Sequence, residues 1–98
     1  MEKVFQYVIT EEETLENIFK DDQIQINHVV IPPGKVFPKH PTDAEVFIMI
    51  VDGELDVATG DNYFKTYRPG QLINIPMGTV SELGNRGTEV VELFVLKR

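Results

Sequence analysis

The chain has 98 residues, of which 42% are hydrophobic, enough to fill one core and to form a single domain over residues 1–98. It has no cysteine, which excludes disulfides, thiol nucleophiles and thiolate metal sites. The net charge of −7 argues against nucleic acid as a partner, and the longest apolar run, residues 46–51, is too short for a membrane span, so we expect a cytoplasmic protein without a secretory signal.

The first 22 residues hold most of the negative charge. Seven acids and two lysines give them a net charge of −5, which leaves −2 for the rest of the chain. We interpret this acidic segment as a solvated surface that packs on the domain. Within it, residues 3–9 are predicted to form an edge strand. Residues 11–19 are predicted to form a short helix, with Thr10 as its N-cap and Leu15, Ile18 and Phe19 on one face.

From residue 24 onward the chain alternates short β-branched or aromatic runs with Gly, Pro, Asn and Asp, which is typical of an antiparallel all-β fold. A predicted strand at 24–31 stops at Pro32-Pro33-Gly34. The dipeptide Asp52-Gly53 between residues 45–51 and 54–59 favours a two-residue hairpin. Further strands are predicted at 63–67, 72–75 and 88–96. The pattern as a whole predicts a sandwich or barrel of about six to ten strands.

Two of the predicted strands are apolar on both faces. Residues 46–51 contain no polar side chain, and residues 90–96 place aliphatic or aromatic side chains on alternating faces. A barrel strand with one solvent-exposed face would alternate apolar and polar residues. Both faces of these two strands should therefore be covered by other parts of the protein. The outer face could be covered by the N-terminal segment or by a second subunit, and we expect a homodimer.

Two stretches of the chain resemble the paired motifs of the cupin family, which read G-x5-H-x-H-x3-E-x6-G and G-x5-P-x-G-x2-H-x3-N. The positions that match are Gly34, His40 and Gly53 in the first stretch and Gly70, Pro76, Gly78 and Asn85 in the second. The resemblance covers residues 24–96. It implies an all-β double-stranded β-helix, a form of jelly-roll barrel.

In that family, three histidines and one glutamate hold a divalent metal inside the barrel, a donor set that suits iron, manganese, nickel or zinc. Only His40 keeps its place here, because the other three positions are occupied by Thr42, Val46 and Ser81. The hydroxyl groups of threonine and serine are weak metal ligands, and the valine side chain has no donor atom. The resemblance therefore implies a barrel without a tightly bound metal or other cofactor.

Two further residues could supply a ligand to a metal held by His40. Glu45 lies beside the vacant glutamate position, but strand alternation turns it and Asp43 outward unless a bulge shifts the register. His28 is the only other histidine. In the predicted strand it faces the same side as Ile26 and Val30, and we interpret it as a half-buried strand residue with a local hydrogen bond.

Three functions remain open on these observations. The first is a metal-free binding module whose apolar pocket takes a small molecule and is lined by His40, Thr42, Val46, Ile48 and Ser81. The second is a metal-independent enzyme that uses His40 as a general base, as the resemblance to cupin-fold sugar-nucleotide epimerases allows. The third is a metal-dependent enzyme with an atypical site formed by His40 with Glu45 or His28. The alternative for His40 is a packing role, with a hydrogen bond to Thr42 or Ser81.

Overall fold

The structure, a computed structural model, describes residues 1–98 and contains nine β-strands and no helix. In chain order the strands are β1 (Thr14–Lys20), β2 (Gln25–Ile31), β3 (His40–Pro41), β4 (Val46–Asp52), β5 (Leu55–Thr59), β6 (Lys65–Tyr67), β7 (Leu72–Ile75), β8 (Val80–Gly84) and β9 (Val91–Lys97). The all-β prediction is therefore confirmed. No element of the structure has the helical length and apolarity needed to cross a membrane.

The strands form two antiparallel sheets. One has five strands in the order β1-β2-β9-β4-β7, and the other has four in the order β3-β8-β5-β6. Strand β9 occupies the middle of the larger sheet and pairs with β2 on one side and with β4 on the other. The inward faces of the two sheets enclose the core, as in a jelly-roll barrel.

The core consists of eleven buried aliphatic side chains drawn from both sheets. Val46 and Ile48, which strand alternation predicts to face inward, are 6% and 0% exposed. Burying a side chain of this size stabilises the fold by about 1.5–3 kcal/mol. Alternate residues of β4 therefore face the core, although both of its faces are apolar in sequence.

The predicted hairpin at Asp52-Gly53 is wrong, because β4 and β5 belong to different sheets. Both edges of β4 are already paired, one with β9 and the other with β7, so β5 pairs with β6 and β8 instead. Of the two turn residues, only Gly53 has a positive φ, 81°. The dipeptide forms a corner that carries the chain from one sheet to the other.

The two elements predicted in the acidic segment are also wrong. Residues 3–9 form no strand, and residues 11–19 form no helix; from Thr14 onward they belong to β1, which pairs with β2. The Thr10 hydroxyl accepts a hydrogen bond from the Glu12 amide at 3.1 Å, but no helix follows. A nine-residue helix is marginal by itself in water, and pairing with the open edge of β2 satisfies the backbone better.

Residues 1–13, the N-terminal arm, lie on the outer face of the larger sheet. The Tyr7 ring packs on His28 of β2 at 4.6 Å and on Phe94 of β9 at 5.0 Å, and the Phe5 ring meets Phe19 of β1 at 5.3 Å. The arm forms no backbone–backbone hydrogen bond. Its attachment therefore depends on aromatic side chains, together with a hydrogen bond from the Val8 amide to Glu16 at 3.3 Å and a 4.0 Å ion pair between Glu13 and Lys35.

Candidate functional site

A cavity of about 420 Å³ lies between the two sheets and opens to solvent. Its volume falls within the range of small-molecule sites. Nine of its sixteen lining residues are hydrophobic. The apolar wall comes mainly from β2, β8, β9 and the segment between β2 and β3, and it includes Val29, Ile31, Phe37, Leu83, Leu93 and Val95.

The strand register divides this wall into a polar end and an apolar end. Along the larger sheet, successive inward-facing pairs are Lys97 with Val46, Asn27 with Val95, and Val29 with Leu93. Alternate residues of a strand point to the same face, so these pairs line the cavity one after another. The polar side chains, Lys97 and Asn27, lie at one end of this series, and the aliphatic pair Val29 and Leu93 lies at the other. A molecule in this cavity would meet polar groups at one end and hydrocarbon at the other.

His40 lines the cavity and is exposed, which places it at the opening. Its Nδ1 lies 3.0 Å from the carbonyl oxygen of Pro38. A carbonyl only accepts hydrogen bonds, so Nδ1 carries the proton, and Nε2 of the neutral ring has a free lone pair. The expected alternative, a hydrogen bond to Thr42 or Ser81, does not form. The imidazole is therefore available as a hydrogen-bond acceptor or as a base.

The other predicted pocket residues divide into two groups. Thr42, Val46 and Ser81 line the cavity with His40, whereas Ile48 does not and is fully buried in the core. The Thr42 hydroxyl donates to the Pro76 carbonyl at 2.9 Å, so its proton is already engaged. Ser81 is 2% exposed and lies opposite His40 in the pairing of β3 with β8.

The residues at the cupin metal positions do not fit a metal ion. His40 is the one strong donor among them, since Val46 has no donor atom and the hydroxyls of Thr42 and Ser81 are weak ligands. Across the whole chain, no cluster of three or more His, Cys, Asp or Glu residues is arranged to hold a metal. The residues present therefore do not form the four-ligand metal site of the family.

The structure does not bring Glu45 or His28 to His40. The Glu45 carboxylate pairs with the Arg98 guanidinium at 2.5 Å and does not line the cavity. His28 points to the outer face, is fully buried rather than half-buried, and places Nε2 2.7 Å from a Glu92 carboxylate oxygen. Asp43, which was expected to face outward, stands at the cavity rim and is 88% exposed.

Asn27 and Lys97 line the cavity but were not predicted as site residues. Both lie outside the two motifs. The signal that could have found them is the two-residue spacing along each strand. Asn27 faces the same side of the sheet as Val29 and Ile31 on β2, and Lys97 faces the same side as Val95 on β9. That signal becomes readable only when the inward face of each strand is known.

A second cleft, of about 440 Å³, lies beside the corner at Gly53 and has no hydrophobic lining residue. Its buried carboxylate, Asp56, accepts hydrogen bonds from the Thr66 hydroxyl and the Arg86 amide, both at 2.7 Å. These bonds tie β5 to β6 and to the segment after β8. The cleft is therefore better explained as a polar joint of the fold than as a binding site.

Residues 27–97 match the Cupin domain family, Cupin_2, so the chain belongs to the cupins. Over 99% of its length it is 28% identical to the uncharacterised protein MJ0764 of Methanocaldococcus jannaschii, and the match covers 84% of that protein. Membership of this family accounts for both the two sequence motifs and the barrel fold.

Solved structures agree with this family. The RmlC-like cupin with a double-stranded β-helix fold from M. jannaschii (mj0764) superposes with a TM-score of 0.92 at 28% identity, over 99% of this chain and 90% of that one. The DMSP lyase DddQ of Ruegeria pomeroyi DSS-3 gives 0.77 at 19% identity, over 96% and 56%. A cupin superfamily protein of Desulfitobacterium hafniense DCB-2 gives 0.78 at 11% identity, over 94% and 82%. The last two likenesses show the fold alone.

Proposed function

We propose that this chain is a cytoplasmic, metal-independent cupin that binds a small molecule in the cavity between its sheets. The observation that carries the proposal is the replacement of three metal positions by Thr42, Val46 and Ser81 on the wall of a largely apolar cavity. Such a cavity can exchange its water for hydrocarbon, and its few polar groups would orient the ligand. The function is binding rather than turnover.

The binding function is tested by screening small molecules against the isotope-labelled protein and following amide shifts by NMR. A bound molecule should shift residues that line the cavity, and the bulky substitution Ser81→Phe should abolish the effect. Val80→Phe, one position along the same strand on the opposite face, is the matched control. Shifts confined to residues outside the cavity, or no shift with any compound, would refute the proposal.

The metal-independent part is tested by elemental analysis after dialysis against a chelator. We expect far less than one transition metal per chain, because a lone imidazole binds divalent ions weakly and a catalytic site needs about three strong protein ligands. The matched comparison is His40→Ala. About one metal per chain in the unmodified protein, lost in this variant, would restore the metalloenzyme as the leading function.

The free Nε2 of His40 at the cavity opening favours a second candidate, a metal-independent isomerase in which this nitrogen removes a proton next to a carbonyl group. Against it, no carboxylate orients the ring, since Nδ1 is bonded to a backbone carbonyl. The test is deuterium uptake from D₂O into pyruvate, 2-oxobutyrate and D-fructose. Uptake that disappears with His40→Gln would favour the isomerase over the binding module.

A further inference from the structure

We infer that the cavity selects a small amphipathic carboxylate, held at its charged end by Asn27 and Lys97 and along its hydrocarbon by Val29, Ile31 and Leu93. The inference rests on the proposed binding function and adds the chemical class of the ligand. It depends on three features of the wall: an oriented amide, a lone cation and an apolar far end.

The Asn27 side chain is 8% exposed and its amide has a fixed orientation. Its oxygen accepts hydrogen bonds from Asn17 Nδ2 at 3.0 Å and from Gln25 Nε2 at 3.2 Å. Reversing the amide would set its NH₂ group against two other donors, so the oxygen must face these residues. The NH₂ group then has no hydrogen-bond partner in the chain, and the residue lines the cavity. The NH₂ group is not among the fully buried polar atoms, so it is a donor that an acceptor of the ligand can meet in place of water.

The orientation of Asn27 is fixed in turn by an irregularity in β1. The register of β1 against β2 shifts between Asn17 and Phe19, as in a β-bulge. At this point the two hydrogens of Asn17 Nδ2 are shared among three acceptors, the Phe19 and Ile26 carbonyls at 3.0 and 3.2 Å and the Asn27 amide oxygen. The bulge therefore makes Asn17 a positioning residue for the donor in the cavity.

Lys97 provides the only positive charge on the cavity wall. It lies on the same inward face as Asn27, one row further toward the polar end. Its present partner is Asp43, with Nζ 4.0 Å from a carboxylate that is 88% exposed. Such a loose and solvated pair contributes little, so a ligand carboxylate can replace Asp43 at low cost. A carboxylate accepts from both Lys97 and the Asn27 amide and also neutralises the ammonium group, whereas an alcohol carries no charge and a protonated amine has no acceptor.

The experiment compares hexanoate, hexanol and hexylamine, which share one hydrocarbon chain, by calorimetry and by the NMR signals of the Asn27 side-chain amide. We expect hexanoate to bind about tenfold or more tightly than hexanol and to shift the Asn27 signals. Each methylene added from butanoate to octanoate should tighten binding by about threefold to fourfold, because it buries further hydrocarbon.

Three variants test the residues. Lys97→Gln and Asn27→Asp should each weaken hexanoate by about tenfold and leave hexanol unchanged, and Asn27→Asp retains the oxygen that Asn17 and Gln25 require. Asn17→Ala should weaken hexanoate without altering the lining. The matched control is Lys20→Gln, outside the cavity. Amide spectra and melting curves verify that each variant is folded.

The outcomes separate the inference from the proposed function. Equal binding of hexanoate and hexanol, or hexanoate binding that is unchanged in both Lys97→Gln and Asn27→Asp, would overturn carboxylate selection and leave a less specific binding cavity. Failure of all three probes and of the compound screen would overturn both. Selective hexanoate binding that each variant weakens by about tenfold supports both.

Discussion

Gly53 is constrained in two independent ways at the corner between β4 and β5. Its φ of 81° lies in the left-handed region, which disfavours any residue with a Cβ. A Cβ built there would also overlap the carbonyl oxygen of Val90. Backbone conformation and close packing therefore both require glycine at this position, which is also one of the matching motif positions.

This arrangement predicts that Gly53→Ala is strongly destabilising. We expect a loss of more than about 2 kcal/mol in the free energy of unfolding, since the strained φ and the overlap add. The matched control is Gly60→Ala: Gly60 also has a positive φ, 60°, but nothing lies within 4 Å of its Cβ position, so we expect about 1 kcal/mol. Urea denaturation of both variants provides the comparison. Equal losses would show that the contact with Val90 is unimportant.

Asp21 forms the turn between β1 and β2. Its carboxylate accepts hydrogen bonds from the amides of Ile24 and Gln23, both at 2.8 Å, which lower its pKa below the ordinary value of 3.8. A folded pKa below the unfolded one means that the carboxylate stabilises the fold above pH 3.8. This stabilisation is lost as the pH falls through the lower, folded value.

We therefore expect the Asp21 carboxyl to titrate below pH 3.8 in the folded protein, measured by carbon NMR. Asp21→Asn cannot titrate, so the difference in unfolding free energy between the wild type and this variant should be constant near neutral pH and change as the pH falls below 4 or so. A difference that does not vary with pH in acid would contradict this assignment.

At the scale of elements, the local patterns identified six of the nine strands, missed β1, β3 and β8, and did not always indicate the correct partners. Strand alternation in residues 46–51 correctly placed Val46 and Ile48 inside. The hairpin signal at Asp52-Gly53 failed because non-local pairing with β7 and β9 occupies both edges of β4 in the folded protein. The helix signal of residues 11–19 failed for a similar reason, because the edge of β2 takes this segment as a strand.

The candidate site was predictable to the extent that the motifs cover it. His40, Thr42 and Ser81 stand at motif positions, and the structure gathers them around one cavity. Asn27 and Lys97 lie outside the motifs, and their importance depends on the register between β2 and β9. Register between strands whose paired residues are 60 or more positions apart is set by the whole barrel, so no local pattern could reveal this pair.

The N-terminal arm gives a prediction at the same scale. Tyr7→Ala should loosen the arm and expose His28, because the Tyr7 ring covers that imidazole and also packs on Phe94. We expect a loss of about 1 kcal/mol in unfolding free energy and faster modification of His28 by diethylpyrocarbonate, read by peptide mass spectrometry. The matched control is Ile9→Ala, since Ile9 is 93% exposed. Equal modification rates in both variants would show that the arm does not protect His28.

At the scale of the whole molecule, the chain exposes more surface than a compact monomer of its mass. Its accessible surface is 6690 Å², against about 5,700 Å² expected for 11.2 kDa. The excess of about 1,000 Å² is comparable with the area that one partner buries in an interface of standard size. Part of it is apolar, because Met49, Val51 and Leu72 on β4 and β7 are 58%, 45% and 62% exposed.

We therefore expect a homodimer that buries this outer face against a second copy. Light scattering should return twice the chain mass of 11.2 kDa. The double substitution Met49→Glu and Leu72→Glu should return the monomer mass without loss of fold. Met77→Glu is the matched control: Met77 is 69% exposed but lies in the turn between β7 and β8. A monomer mass for the unmodified protein over a wide concentration range would contradict the dimer.

The central position of β9 has a consequence for how the barrel is made. Strand β9 is the last of the nine in the chain, yet it joins β2 to β4. During synthesis, the facing edges of β2 and β4 remain without a partner until β9 has left the ribosome. The barrel must therefore close after translation of all its strands, and its long-range pairings make that closure slow. Until then, the nascent chain exposes open sheet edges and uncovered hydrocarbon, the features that make unfinished chains prone to aggregate.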